Sequence, residues 1–321
     1  MSREAECNVK RESEEKIYHK FELNLSGDSG VKMTGRDKYK NRKRLPSWMK
    51  MQMPAGVNYS RIKNLVDRYH LNTICTSGNC PNIGECWGRG TATFMILGDI
   101  CTRNCKFCGV KTGKPEPVDW NEPERIARSV QIMGLKHCVI TSVDRDDLDD
   151  GGSALWAATI REVKKINPDT TLEVLIPDFK GREVDILRVI EEKPEVISHN
   201  LETVERLTNI IRSGADYKRS LKVLGIISGR GITSKSGIML GLGETMEEVL
   251  LAMDDLLKVG CRVITIGQYL QPSEHHWPVQ DFIEPEEFKK LKMIGIEKGF
   301  RFVESSPLVR SSYCAEKHVG A

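Results

Sequence analysis

Eight residues, Cys101-Thr-Arg-Asn-Cys105-Lys-Phe-Cys108, carry three cysteines at Cys-x3-Cys-x2-Cys spacing. They follow directly on the apolar run Thr93-Phe-Met-Ile-Leu-Gly-Asp-Ile100. A strand that ends in a tight thiolate loop can hold one iron–sulfur cluster through three of its irons. The fourth iron then takes a small molecule instead of a protein ligand. An open iron is what reductive cleavage of S-adenosylmethionine requires, so the loop reads as a radical-generating site rather than an electron wire. A closed zinc or electron-transfer centre normally takes a fourth nearby ligand, and the loop supplies none. Spacing alone leaves two plainer readings open: zinc on three thiolates with a distant fourth ligand, and three reduced structural thiols.

A second triplet stands upstream in Cys75-Thr-Ser-Gly-Asn-Cys80-Pro-Asn-Ile-Gly-Glu-Cys86. Its Gly, Pro and Asn residues let the backbone curl until three thiolates converge. A zinc knuckle competes here, but zinc ligands usually come as closely spaced pairs. Two triplets in one chain make two clusters the simpler reading. Other polar groups cluster where apolar runs end. Thr141-Ser142-Val-Asp144-Arg145-Asp146-Asp147 could cap the next helix, yet a strand terminus favours contact with the ammonium of a bound amino acid. His199-Asn200-Leu-Glu202 offers hydrogen-bonding groups suited to a ribose or carboxylate, with His199 expected to be buried and satisfied. The glycines of Gly237-Ile-Met-Leu-Gly241-Leu-Gly243-Glu244 let a backbone or flat ring approach closely. They lack the third glycine of a dinucleotide fingerprint. Cys138 and Cys261 lie in or beside apolar strands and read as inert core thiols.

These groups need a scaffold that brings strand ends together. Strands are predicted at 93–99, 137–143, 171–176, 196–201, 236–240 and 263–269, and helices at 122–133, 154–166, 181–192, 203–211, 216–227 and 246–258. A further helical spacing covers Asn58 to Tyr69. Strand–helix alternation predicts an α/β fold with a parallel sheet and helices outside. Six repeats suit a partial (β/α)6 TIM-like barrel with N-terminal and C-terminal extensions, its site at the C-terminal strand ends. A doubly wound open sheet is the alternative. The expected organisation is a disordered, basic tail at 1–44, an extension with the second triplet at 45–92, and the barrel with a closing segment at 93–321. Residues 299–315 alone read as a strand and a loop.

Composition narrows the classes. The 321 residues can bury one large core, and 48 bases against 45 acids give a formal charge of +3. That balance predicts neither a nucleic-acid nor a membrane partner. The run of six bases between Arg36 and Arg44 reads as a solvated linker, or as an arm for an acidic protein. No apolar run approaches the roughly 18 residues of a spanning helix, and the first 30 residues hold no apolar signal core. Ten cysteines clustered in threes imply a reducing, cytoplasmic setting and metal ligation rather than disulfides.

Both triplets, Lys235 to Thr245, Gln268-Tyr-Leu-Gln-Pro-Ser273 and Arg310-Ser-Ser-Tyr313 together resemble the lipoyl synthases, radical S-adenosylmethionine enzymes, over roughly residues 45–318. The resemblance implies that Cys101, Cys105 and Cys108 hold the [4Fe–4S] cluster that cleaves S-adenosylmethionine. It implies an auxiliary [4Fe–4S] cluster on Cys75, Cys80 and Cys86, with Ser312, or failing it Ser311, on the fourth iron. Ser142, Asp144, Asn200, Glu202, Gly241 and Glu244 match positions that line the cofactor pocket in the superfamily. The sequence departs from the family pattern at Cys314, where His is usual, and at Ser306, where Gly is usual. Cys314 could compete for the auxiliary iron.

The implied reaction inserts two sulfurs at carbons 6 and 8 of an octanoyl group on a lysine of a lipoyl carrier domain. The implied partners are such domains of 2-oxoacid dehydrogenase E2 subunits and the glycine cleavage H protein, with ferredoxin or flavodoxin as reductant. Octanoyl carbons carry no acidic hydrogen, so neither base nor nucleophile activates them, and a cofactor-borne radical must.

Overall fold

The computed structural model describes residues 44–49, 56–68, 73–77, 80, 82–88 and 92–319. The N-terminal tail and almost all of its basic run lie outside the described residues. Three helices come first: α1 (Val57–Arg68), α2 (Ile74–Ser77) and α3 (Ile83–Gly88). α1 follows the predicted spacing and buries Ile62 and Val66. Trp87 of α3 is buried and stacks on Tyr59 of α1, with 5.4 Å between ring centroids.

The first strand, β1 (Thr93–Ile96), is followed by two short ones, β2 (Ile100–Cys101) and β3 (Lys111–Thr112), which pair with each other in parallel. Helix and strand then alternate: α4 (Glu122–Met133), β4 (His137–Ser142), α5 (Ser153–Ile166), β5 (Thr171–Leu175), α6 (Glu183–Glu191), β6 (Val196–Ser198), α7 (Glu205–Ile211), α8 (Tyr217–Gly229), β7 (Thr233–Leu240), α9 (Met246–Lys258), β8 (Val263–Gln268), α10 (Pro285–Lys298) and β9 (Phe302–Ser305). The main sheet runs β1-β4-β5-β6-β7-β8-β9, and every neighbouring pair is parallel. Strand order follows chain order without reversal, so the sheet has no switch point and the doubly wound alternative is excluded. Lys235 of β7 reaches across β6 to Glu173 of β5 at 2.8 Å, so these two side chains lie on the same face of the sheet. This is the alternating parallel architecture of a partial barrel, with the C-terminal segment adding a seventh strand at one edge.

Local chemistry explains where the elements differ from the sequence pattern. β1 ends at Ile96 because Leu97 turns into a positive φ of 68° and its N–H donates to Glu122 Oε2 at 2.8 Å. β7 begins at Thr233 rather than 236, since its polar start Thr-Ser-Lys pairs with β6. α10 escaped the periodicity because Met293 and Ile296 are exposed and only Phe288, Leu291 and Gly295 are buried. Its boundary signals were nevertheless present in Pro285 at the first turn and Gly299 after the last. α9 matches its prediction and opens with a capping box between Thr245 and Glu248.

Candidate active site

The cysteine loop is tied on every side. β2 and β3 clip its two ends together, pairing Ile100 with Lys111 and Cys101 with Thr112. The backbone N–H and the hydroxyl of Thr102 both donate to the Asp144 carbonyl, at 3.0 and 2.9 Å, which fastens the loop to the end of β4. Lys106 N–H donates to the Ile211 carbonyl at 2.8 Å, and Trp277 N–H donates to the Lys106 carbonyl at 2.8 Å. A ring nitrogen of His276 lies 2.9 Å from the Cys108 carbonyl. Such anchoring holds three thiols in one orientation before any metal arrives.

Cys101, Cys105 and Cys108 face a cavity of about 290 Å³ at the C-terminal ends of the strands. Ser142 and Asp144 after β4, and Asn200 and Glu202 after β6, line the same space. Burial, with the Asp144 carboxylate adding to it, pushes the Cys105 thiol up to about 12, and burial with Cys101 and Glu202 nearby pushes Cys108 up to about 11. Coordination to a cation reverses that preference and drives the protons off. Asp144 itself is raised to about 6 by burial, with the Arg103 guanidinium opposing the shift. Glu202 is raised by burial and opposed by Arg212. Glu202 also holds a left-handed φ of 63°, fixed by its N–H to Gly237 and by Met239 N–H to its carbonyl, both at 2.9 Å. Backbone strain of this kind is retained where geometry matters.

Two buried polar atoms in this wall, Ser142 Oγ and Asn200 Oδ1, have no hydrogen-bond partner. Buried polar groups are normally satisfied, so these fit a polar ligand. Gly237 keeps the floor open, because a Cβ there would lie 2.8 Å from Thr265 Oγ1 and 3.0 Å from Asn200 Oδ1. Gly241 and Glu244 are not brought to the cavity. Glu244 instead accepts from the N–H groups of Gly241 and Leu242, at 2.5 and 2.9 Å, and shapes the turn after β7. His199 is buried as expected, with its two ring nitrogens on the Ile176 carbonyl and Ser220 Oγ.

The second triplet sits where the N-terminal helices meet the C-terminal segment. Cys80 N–H donates to the Cys75 carbonyl at 3.0 Å, and Cys86 N–H to the Asn82 carbonyl at 2.9 Å. Cys75 is buried and its thiol is pushed up to about 11, chiefly by that burial. Asn82 Nδ2 donates to the Leu308 carbonyl at 2.6 Å, and the Tyr313 hydroxyl to Glu85 at 3.3 Å. Arg310 lies close enough to Cys80 to favour its thiolate. Ile74, Arg310, Ser311 and Ser312 line the cavity that takes the first triplet, whereas buried Cys314 does not. Among the described residues no three His, Cys, Asp or Glu side chains converge on a single-ion site. A four-iron cube does not ask for such convergence, because each thiolate binds a different iron.

Comparison with known proteins decides the family. Residues 95–256 match the radical SAM superfamily, and residues 23–80 match the N-terminal domain of lipoyl synthase of the radical SAM family. The chain is 62% identical over 275 residues to lipoyl synthase of Flavobacterium johnsoniae, covering 85% of this chain and 96% of the relative. It is 59% identical over 275 residues to the mitochondrial lipoyl synthase of Nematostella vectensis, covering 85% and 94%. The chain belongs to the lipoyl synthase family. It is therefore a radical S-adenosylmethionine enzyme, and the family's cofactors are [4Fe–4S] clusters and S-adenosylmethionine. Solved structures agree on fold alone. Methylornithine synthase matches with a TM-score of 0.50 at 13% identity, over 77% of this chain and 76% of that one. Streptococcus suis SuiB bound to S-adenosylmethionine gives 0.53 at 12%, over 71% and 55%. No described helix is long and apolar enough to cross a membrane.

Three residues that sequence reading passed over complete the lipoyl synthase cavity: Arg103, Asp178 and Arg212. Arg212 is buried, donating to the Leu201 carbonyl at 3.0 Å and to Ser220 Oγ at 3.2 Å. It offers a cation opposite Asp144 and Glu202. Its place just after α7 reads in sequence as an ordinary helix-end charge, which is why it carried no signal.

Proposed function

We propose that this chain inserts sulfur at carbons 6 and 8 of an octanoyl group carried on a lysine of a lipoyl domain, within the one cavity described above. The observation that carries the reading is that Cys101, Cys105 and Cys108 share a wall with Arg310, Ser311 and Ser312, whose neighbour Cys80 belongs to the second triplet. The first triplet would hold the radical-generating cluster, and Cys75, Cys80 and Cys86 with Ser312 would hold the auxiliary one. Bound there, these groups and S-adenosylmethionine supply a 5′-deoxyadenosyl radical and sulfide at unactivated carbon.

The chain's own residues bind and orient. Asp144 and Glu202 suit the ammonium of S-adenosylmethionine and Arg212 its carboxylate, while Ser142 and Asn200 offer their unpartnered oxygens to its polar groups. Met95, Val139, Leu175 and Ile238 give the acyl chain an apolar wall. Gly241 and Glu244 act one step back, by shaping the turn that follows the β7 wall. The division into a tail at 1–44, an auxiliary-cluster extension at 45–92 and a barrel at 93–321 follows the same assignment. E2 and glycine cleavage carrier domains are the substrates, and a ferredoxin or flavodoxin is the reductant. A reducing compartment, the cytoplasm, fits nine described cysteines that are all free.

The test is anaerobic incubation of an octanoylated carrier peptide with reductant and S-adenosylmethionine, followed by mass spectrometry. Loss of two hydrogens and gain of two sulfurs is expected. An unaltered peptide alongside released 5′-deoxyadenosine would keep the radical chemistry and refute the substrate.

A further inference from the structure

Arg103 stands between the first two cysteines of the loop and is only 8% exposed. Its Nε donates to Asp146 Oδ2 at 2.7 Å, and its Nη2 donates to Asp146 Oδ1 at 2.9 Å and to Asp178 Oδ1 at 2.7 Å. Its Nη1 lies 3.3 Å from Asp144 Oδ1. Asp178, wholly buried, is itself gripped by Arg219 Nε at 2.8 Å and by the Lys180 N–H at 3.0 Å. One guanidinium thus spans the ends of β4 and β5, with α8 behind it. A planar fork can hold three carboxylates at fixed angles, whereas an ammonium on a flexible stem cannot.

That fork decides how Asp144 is presented. Oδ1 of Asp144 is turned to Arg103, and Oδ2 lies 3.9 Å from Cys101 Sγ, beside the cavity. Asp144 N–H also donates to Cys101 Sγ at 3.3 Å, so this residue and the first thiol move as one unit. We infer that Arg103 is a positioning residue for S-adenosylmethionine: by holding Oδ1 of Asp144 it aims Oδ2 at the ligand's α-ammonium. This rests on the reading of Asp144 as the ammonium partner, and the experiment separates the two.

Binding is measured by titration calorimetry on the anaerobic holoenzyme, with S-adenosylmethionine and with its analogue in which hydrogen replaces the α-amine. Arg103→Lys and Asp144→Asn should each weaken S-adenosylmethionine by roughly tenfold or more. Each should leave the Kd of the deaminated analogue within error of the parent. The double variant should be no weaker than Asp144→Asn alone, since both changes act on one interaction. Asp146→Asn, which loosens the fork from its other side, should show the same selective loss to a smaller degree and covers the case in which Arg103→Lys does not fold. Parent affinity in Arg103→Lys overturns the inference, as does equal weakening of both ligands. Loss of iron from an otherwise folded Arg103→Lys overturns it too, because the residue would then hold the loop rather than the carboxylate. Parent affinity in Asp144→Asn would instead sink the reading of Asp144.

Discussion

Lys235 has no exposed surface, and its Nζ lies 2.8 and 3.0 Å from the two Glu173 oxygens inside the barrel. Ser198 Oγ adds a hydrogen bond to Glu173 at 2.9 Å. Removing one partner of such a pair strands a charge, so Lys235→Met should lower unfolding stability by roughly 3–5 kcal/mol in a denaturant titration. Pairing it with Glu173→Leu should restore most of the loss, and a double variant as weak as the single would count against this account. His199 behaves in the opposite electrostatic sense. The Ile176 carbonyl can only accept, so Nδ1 carries the proton and Nε2 accepts from Ser220. Burial, with Arg212 adding to it, lowers the His199 pKa to about 4. The unfolded chain takes a proton near 6.5 that the native state refuses until about 4. Stability is therefore complete above 6.5 and falls as pH drops through that window, by about 3 kcal/mol in all. Melting temperature against pH checks this: His199→Gln should have a lower midpoint and a shallower slope, and an unchanged slope would contradict it. Residues at strand ends, such as Asp144 and Asn200, were legible because a polar group closing an apolar run has few ordinary explanations. Arg103 was not, since a lone arginine in a loop looks like surface until its three carboxylates arrive from other elements.

The C-terminal segment shows how one element's position depends on the absence of a side chain in another. A Cβ on Gly267 of β8 would lie 2.1 Å from the Val309 carbonyl oxygen, which is backbone and cannot swing away. Gly267→Val should therefore push 309–312 out of the barrel and take the proposed serine ligand with it. Anaerobic iron analysis should fall from about eight irons per chain to about four, with the radical-generating cluster retained. Retention of all the iron would contradict the place given to the segment. The alternating strands and helices were readable because apolar runs and amphipathic stretches differ in period. The polar start of β7 and the partly exposed α10 were not, because their pairing and packing partners override local pattern.

At the scale of the whole molecule, the main sheet of the described residues ends at β1 and β9, and the segments before and after the barrel meet beside it. Thr73 bridges to Phe94 of β1, and Asn82 reaches Leu308 across 226 positions of sequence. Nothing local encodes that meeting, which is why the triplets were visible in sequence while the contact between residues 82 and 308 was not. On the proposed function, sulfur transfer is a matter of distance between the two triplets. The most direct test loads the holoenzyme with heavy-isotope sulfide and runs a single anaerobic turnover on an octanoylated carrier peptide in natural-abundance sulfide. The account predicts a product whose two sulfurs are both heavy, at no more than one product per chain. A product carrying light sulfur from solution would show that the second triplet is not the donor.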